Sequence, residues 1–315
     1  MRRVRLMTWC PRSVSGMHLA AFAAAEGGLF GDQGLDVEFV PVVKPPDYSL
    51  SGFTSRVKAV AAGHADLAFT AVVYLLAAQT EAAGQLPVRF VATAHQRNPI
   101  TGFVRADSDL RAPGDLPGAR AARWSMPWFA REYAGALDHL GLGAPVLVDT
   151  PGPLDQALAC GHVEVAPTWM DDSTQARIAN MTLHHRGVGF GIRAIPLDIP
   201  VYSTGLVAAD RLPLDVVARM RDAFRGGHEL QRARPELGLA GFRRCFPSVS
   251  EEHARTNWAL YEPSAFDAVP PGSMDADRWQ ETIAHTATAH GLSVLPGERL
   301  YRPELLATTL EPAAA

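Results

Sequence analysis

Apolar residues along this chain follow two rhythms that take turns. Short runs of alternating or continuous Val, Leu, Phe and Ala mark strands, and longer stretches with apolar residues three and four apart mark helices. Residues 3–8 predict a strand, 15–26 a helix halted by Gly27 and Gly28, and 36–40 a second strand that turns Val37 and Phe39 inward. Residues 53–62 predict a helix ending at Gly63, 65–69 a buried strand, 72–82 a helix and 88–94 a strand. The alternation continues with strands at 102–104, 120–122, 146–148, 163–166 and 205–208, and helices at 128–140 and 154–159. After that helices dominate, at 214–232, 250–265 and 275–290. This βαβ grammar predicts parallel α/β sheets under helical cover.

No repeat of residue identity is present, but one pattern returns. VKAVAAGHADLA at 57–68 and LDQALACGHVEVA at 154–166 both read as a helix, a glycine suited to a left-handed helix end, then a short strand. Two similar α/β lobes account for such an echo. The 315 residues, 47% hydrophobic and 20% charged, are enough for one large or two medium cores. A net charge of −4 without a long basic run argues against nucleic acid or an anionic membrane as partner. No window approaches the roughly 18 apolar residues of a membrane span. The basic start, Met1 to Arg5, is followed only by the alanine-rich run 19–25, which belongs to the first predicted helix. The expectation is therefore a cytoplasmic protein, or a periplasmic or extracellular one if the start is truncated. Cys10, Cys160 and Cys245 are odd in number and not spaced as metal ligands, so neither a disulfide framework nor a zinc site is expected. No G-x-G-x-x-G or P-loop follows a strand, and no cofactor is expected.

Six stretches then carry a resemblance: AAAEGGLFGDQGLDVEFVP, RVKAVAAGHADLAF, DLPGARAA, ALACGHVEVAPTW, STGLVAADRLPLDVVARMRDAF and GSMDADRWQETIAHTATAHGL. Together, from about residue 4 to 293, the chain resembles the type II periplasmic-binding family of solute-binding proteins for sulfonates, taurine, nitrate and pyrimidine precursors. The resemblance implies an α/β fold of two lobes, residues 1–97 with 205–315 and residues 98–204, with C-terminal helices. It also implies crossings near 95–99 and 200–204, and a small-molecule ligand in the cleft between lobes. For an exported form an ABC permease is the implied partner.

Ligands of open α/β sheets sit beyond the carboxyl ends of strands, near helix N-termini. The residues just past the predicted strands are Trp9, Cys10, Arg12 and Ser13; Thr70 and Tyr74; Trp124, Ser125 and Trp128; Thr168, Trp169 and Asp171; and Tyr202, Ser203 and Thr204. Four of the six tryptophans fall in this set, which suits a flat or aromatic ligand, while the hydroxyls suit an anionic head. Trp124 and Trp128 are equally placed to pack between helix and sheet.

Cys10 stands before a helix with Arg12 two residues on, a setting that favours the thiolate, although unpaired cysteines also serve as small buried hydrophobes. The chain resembles a cytoplasmic branch of the family, the sulfinate desulfinases, around Thr8-Trp9-Cys10-Pro11, which implies that Cys10 is the nucleophile. That branch's Arg-x-Gly-Gly signature falls at Arg56-Val57-Lys58-Ala59, where only the arginine is retained, and its upstream histidine is replaced by Asp47-Tyr48. A second enzymatic branch, the fungal-type hydroxymethylpyrimidine phosphate synthases, would need a lysine at Thr70 and a histidine at Tyr74, and its cysteine-rich run is replaced by 201–205. His184 and His185 read as a solvated loop, Asp171 and Asp172 as helix-start residues, and His18 and His95 as core, hinge or general-base positions. Two functions stay open: a binding protein that closes on a small aromatic or anionic solute, and an enzyme of desulfinase, lyase or decarboxylase type using Cys10.

Overall fold

The computed structural model describes residues 1–8, 16–41, 49–123, 127–150, 154–169, 191–247, 250–267 and 269–306. Strand β1 (Arg2–Met7) runs parallel to β2 (Leu35–Val40) and β3 (Leu67–Ala71), each return made through helices. These are α1 (Gly16–Glu26), α2 (Leu29–Asp32), α3 (Leu50–Phe53) and α4 (Ser55–Ala61). The helix expected over 53–62 is two short ones meeting at Thr54, because the Ser49 hydroxyl caps Gly52 N at 3.0 Å and starts a separate turn upstream. Helix α5 (Val72–Glu81) leads to β4 (Val88–Thr93), and β10 (Thr204–Ala209) inserts antiparallel between β3 and β4. The order is β2-β1-β3-β10-β4.

The second half of the architecture repeats this plan. Strand β5 (Ile100–Arg105) pairs antiparallel with β8 (Ala166–Trp169) and β9 (Ile192–Pro196). Strand β6 (Arg120–Arg123) runs parallel to β7 (Val146–Asp149), and a bridge from Ala121 to Val165 joins the two groups. The connections are α6 (Pro127–His139) and α7 (Leu154–Ala159). The echo in the sequence maps onto equivalent places: α4 into β3 and α7 into β8, with Gly63 at φ 84° and Gly161 at φ 68° as left-handed ends.

The chain passes from β4 to β5 and back from β9 to β10, and the two passages are tied together. Asn98 N donates to Ile199 O at 3.0 Å, and Arg97 pairs with Asp198 at 2.6 Å. Four helices close the fold: α8 (Leu214–Ala233), α9 (Pro235–Cys245), α10 (Glu251–Ala265) and α11 (Ala276–His290). Helix α1 is alanine-rich and almost wholly buried, so α8 and α9 approach its backbone closely. A side chain at Gly227 would run into the Ala20 carbonyl, and one at Gly238 into Gln231 and Leu19. Helix α11, capped by Asp275 on Arg278 N at 2.9 Å and ended by Gly291 at φ 63°, packs on α6 and α5 and so touches both halves. The main hydrophobic core is continuous from the larger sheet into the smaller, and no described helix is long and apolar enough to cross a membrane.

Candidate functional site

The ends of β3, β8 and β10, the first turns of α5 and α6, and both crossings meet in one place. Tyr74 sits in the first turn of α5, stacked on Phe53 with centroids 4.9 Å apart and 7° between planes. Trp128, in the first turn of α6, meets Tyr74 edge-on at 5.3 Å and Trp169, the last residue of β8, at 5.3 Å. Phe129 stacks on Trp128 at 3.8 Å and completes the cluster. Arg56, only 2% exposed, holds its guanidinium 5.1 Å from the centre of the Phe53 ring. Five aromatic rings from the two halves thus close on one another, with a buried cation at their margin.

Behind the rings lies a carboxylate that the sequence did not single out. Glu132 follows Trp128 by four residues on the same face of α6 and is 5% exposed. Its Oε1 accepts from Asn98 Nδ2 at 2.7 Å and from Trp169 Nε1 at 3.2 Å. Asn98 Oδ1 in turn accepts from Ile100 N at 3.0 Å, so one carboxyl links α6, the first crossing and the end of β8. Burial lifts the Glu132 carboxyl to about 7, although the two hydrogen bonds and nearby His95 favour its charged form.

On the larger-sheet side, Thr204 binds the His95 ring at Nδ1 and lies 3.8 Å from Met17 Sδ. His95 meets Tyr261 edge-on at 5.0 Å, and Tyr261 Oη is 2.6 Å from His228 Nε2. His228 Nδ1 lies 2.9 Å from Phe224 O, which only accepts, so Nδ1 carries the proton, and the one Tyr261 hydroxyl proton is shared between His228 Nε2 and Ala94 O, 3.1 Å away. Burial depresses His228 to about 4, consistent with that neutral tautomer. Ser203 anchors α5 by accepting from Val72 N at 2.8 Å through its carbonyl. Tyr202 N donates to Thr282 Oγ1 at 3.0 Å, and the Tyr202 hydroxyl accepts from Asp275 N at 2.8 Å, which pins the second crossing to α11.

Of the strand-end residues read from the sequence, Thr70, Tyr74, Trp128, Thr168, Trp169, Ser203 and Thr204 are all buried around this junction. Thr168 pairs with Thr101 across β8 and β5 and is wholly buried. Trp9, Cys10, Arg12, Ser13, Ser125 and Asp171, with Trp124 and the His184–His185 pair, lie outside the described residues. Asn98, Glu132, His285 and His290 were missed. The signal for Glu132 was an acidic residue one helical turn after Trp128, and the burial that sets it apart exists only in the folded chain. Among the described residues no group of three His, Cys, Asp or Glu is placed to hold a metal ion.

A two-lobed α/β fold with crossed strands and a cleft between lobes is that of the periplasmic binding proteins. The family model described as NMT1/THI5 like matches residues 15–235, most of the chain, and the protein belongs to that family. No curated protein sequence matches it. Among solved structures it is similar to the periplasmic aliphatic sulphonate binding protein SsuA of Escherichia coli, with TM-score 0.64 and 14% identity over 96% of this chain and 93% of that one. It is similar also to the alkanesulfonate-binding protein SsuA of Xanthomonas axonopodis pv. citri bound to MOPS, with TM-score 0.58 and 14% identity over 97% and 98% of the chains. A third likeness is to the desulfurization enzyme DSZB, with TM-score 0.56 and 16% identity over 97% of each chain. At these identities the likenesses define the fold.

Proposed function

We propose that this protein binds a small organic ligand of aromatic or anionic character between lobes formed by residues 1–97 with 205–315 and by residues 98–204, and releases it unchanged. The observation that carries this reading is the aromatic cluster at the strand ends, with Phe53 and Tyr74 contributed from the larger-sheet side and Trp128, Phe129 and Trp169 from the other. Flat rings offer large contact area to a flat ligand, and Arg56 beside Phe53 supplies positive charge for an anionic head. Sulfonate binding in two of the similar structures supports the ligand class. Thr70, Tyr74, Trp128, Thr168, Trp169, Ser203 and Thr204 are the site residues in this reading, joined by Trp9, Cys10, Arg12, Ser13, Ser125 and Asp171. For an exported form, an ABC permease is the partner.

The cavity left between the rings and the crossings is about 10 Å³, the space of about one water. Ligand entry therefore requires the two halves to part and the rings to separate. A thermal-shift screen of aromatic carboxylates and sulfonates tests the reading. At least one class raises Tm in the native protein and fails to do so in Trp169→Ala; a screen in which neither class shifts Tm contradicts it.

A second reading, an enzyme with Cys10 as nucleophile, is favoured by the likeness to the desulfurization enzyme. It predicts conversion of an aromatic sulfinate that Cys10→Ser abolishes, whereas the binding reading predicts retained binding and no product.

A further inference from the structure

The small cavity at the crossings has a chemical sign. Glu132 Oε2, Ser203 Oγ, His285 Nε2 and His290 Nδ1 are buried atoms without a hydrogen-bond partner among the described residues, and all four residues line this one cavity. Asn98 and Trp169, which bind the other Glu132 oxygen, line it too. A buried polar atom left unpaired costs about 1–3 kcal/mol, so four around one space mark a place built for a polar group. Among the described residues neither lysine nor arginine lines it. His285 and His290 are held neutral by burial, at about 4 and about 3, and each neutral ring offers an acceptor nitrogen. An anion here would face a buried carboxyl with no lysine or arginine among the described lining residues to answer it.

On the interlobe reading above, we propose that this cavity receives a hydrogen-bond-donating nitrogen of the ligand, an amine or amide N–H, with Glu132 as its acceptor. The nitrogen replaces about one water in volume, while the remainder of the ligand lies among the aromatic rings. Glu132 is then the residue that selects for a donor over a sulfonate at this end of the ligand. An ammonium group is held best by the ionised carboxyl, so amine affinity rises with pH through the range where Glu132 loses its proton. The charged and titratable groups around it are His95 at the first crossing, His285 and His290 on α11, and Arg131 on α6, while Asp138 and His139 act on His285.

Calorimetric titration with benzylamine, benzyl alcohol and phenylmethanesulfonate tests this. The native protein is expected to bind benzylamine about tenfold or more tighter than the sulfonate, and Glu132→Gln to weaken benzylamine by about tenfold or more, as loss of a charge-assisted hydrogen bond implies. The native preference grows from pH 6 to pH 8 and is flat in Glu132→Gln. Ser203→Ala, which removes one hydroxyl without touching the Asn98 and Trp169 bonds, weakens benzylamine in the same direction and serves if Glu132→Gln fails to fold. Phenylmethanesulfonate bound as tightly as benzylamine or tighter, with Trp169→Ala abolishing both and Glu132→Gln changing neither, overturns the inference while the interlobe reading stands. Benzylamine binding unchanged in both polar variants overturns it as well, leaving a water site only. Binding by none of the three probes also overturns it, and the broader acid screen then decides the interlobe reading separately.

Discussion

A carboxyl that titrates near 7 instead of the ordinary 4.5 costs the folded state stability once it ionises. For Glu132 the folded value is the higher one, so its contribution is fully present below about 4.5 and is lost as pH rises through about 7. A shift of that size corresponds to about 3 kcal/mol. Glu132→Gln keeps an oxygen to accept from Asn98 and Trp169 and removes the charge. The Tm of the variant relative to the native protein therefore rises between pH 4.5 and pH 8 in parallel thermal melts, and a constant difference would show that the Glu132 carboxyl titrates in the fold as it does in the unfolded chain. Tyr261 makes a second residue-scale prediction. Tyr261→Phe removes the buried hydroxyl that faces both His228 Nε2 and Ala94 O and lowers stability by about 1–3 kcal/mol in denaturant titration, whereas an exposed hydroxyl would cost nothing measurable. Tyr74, Trp128 and Trp169 were legible in the sequence because large aromatics stood just past predicted strands. Glu132 was not, since an acid beside Arg131 on a mid-chain helix reads as a solvated face until the crossing segment covers it.

At the scale of elements, α6 and α11 are close enough that a Cβ on Gly135 would meet the Ala289 Cβ at 2.5 Å. These helices lie far apart in the sequence, and their contact fixes His285 and His290 beside Glu132. Gly135→Val is expected to destabilise the protein by about 1–3 kcal/mol through overpacking, measured as a lower urea midpoint with unchanged slope. A neutral effect would mean that the two helices are free to separate. The strands and most helices were readable from apolar periodicity, and three departures besides the split helix at Thr54 have physical causes. Strand β8 was expected at 163–166 and lies at Ala166–Trp169, because Pro167 reads as a strand stop yet is tolerated on an edge strand, where its missing N–H breaks no central ladder. Helix α9 was not expected at all. Gly238 and Gly241 lower its helix propensity, and they are there to let it lie against α1 at Leu19 and Phe22. Strand β9 was also missed, since its flank is half-buried and it ends in proline.

At the scale of the whole molecule, burial keeps three of the described histidines neutral, His228, His285 and His290, with values near 4, 4 and 3 against an ordinary 6.5. Their folded values are lower than their unfolded ones, so the stability they represent is present above about 6.5 and is lost as pH falls toward 4. Glu132 works the other way over an overlapping range, but one carboxyl opposes three imidazoles. Tm is therefore expected to fall on acidification from pH 6.5 to pH 4.5; a flat profile would mean that these rings are solvated. The doubled plan of the fold, β2-β1-β3-β10-β4 beside the β7-β6 and β8-β5-β9 strands, was visible as the Gly63 and Gly161 echo. The meeting of the two halves was not visible, because aromatic contacts across a cleft leave no periodic trace in the chain.

Binding without chemistry between the halves is tested most directly by calorimetric titration with the best compound from the acid screen, followed by mass spectrometry of the recovered compound. The account predicts saturable binding at one site per chain, weakened about tenfold or more by Trp169→Ala, with the compound recovered unchanged. A converted compound, or binding that Trp169→Ala leaves as tight as before, would contradict it.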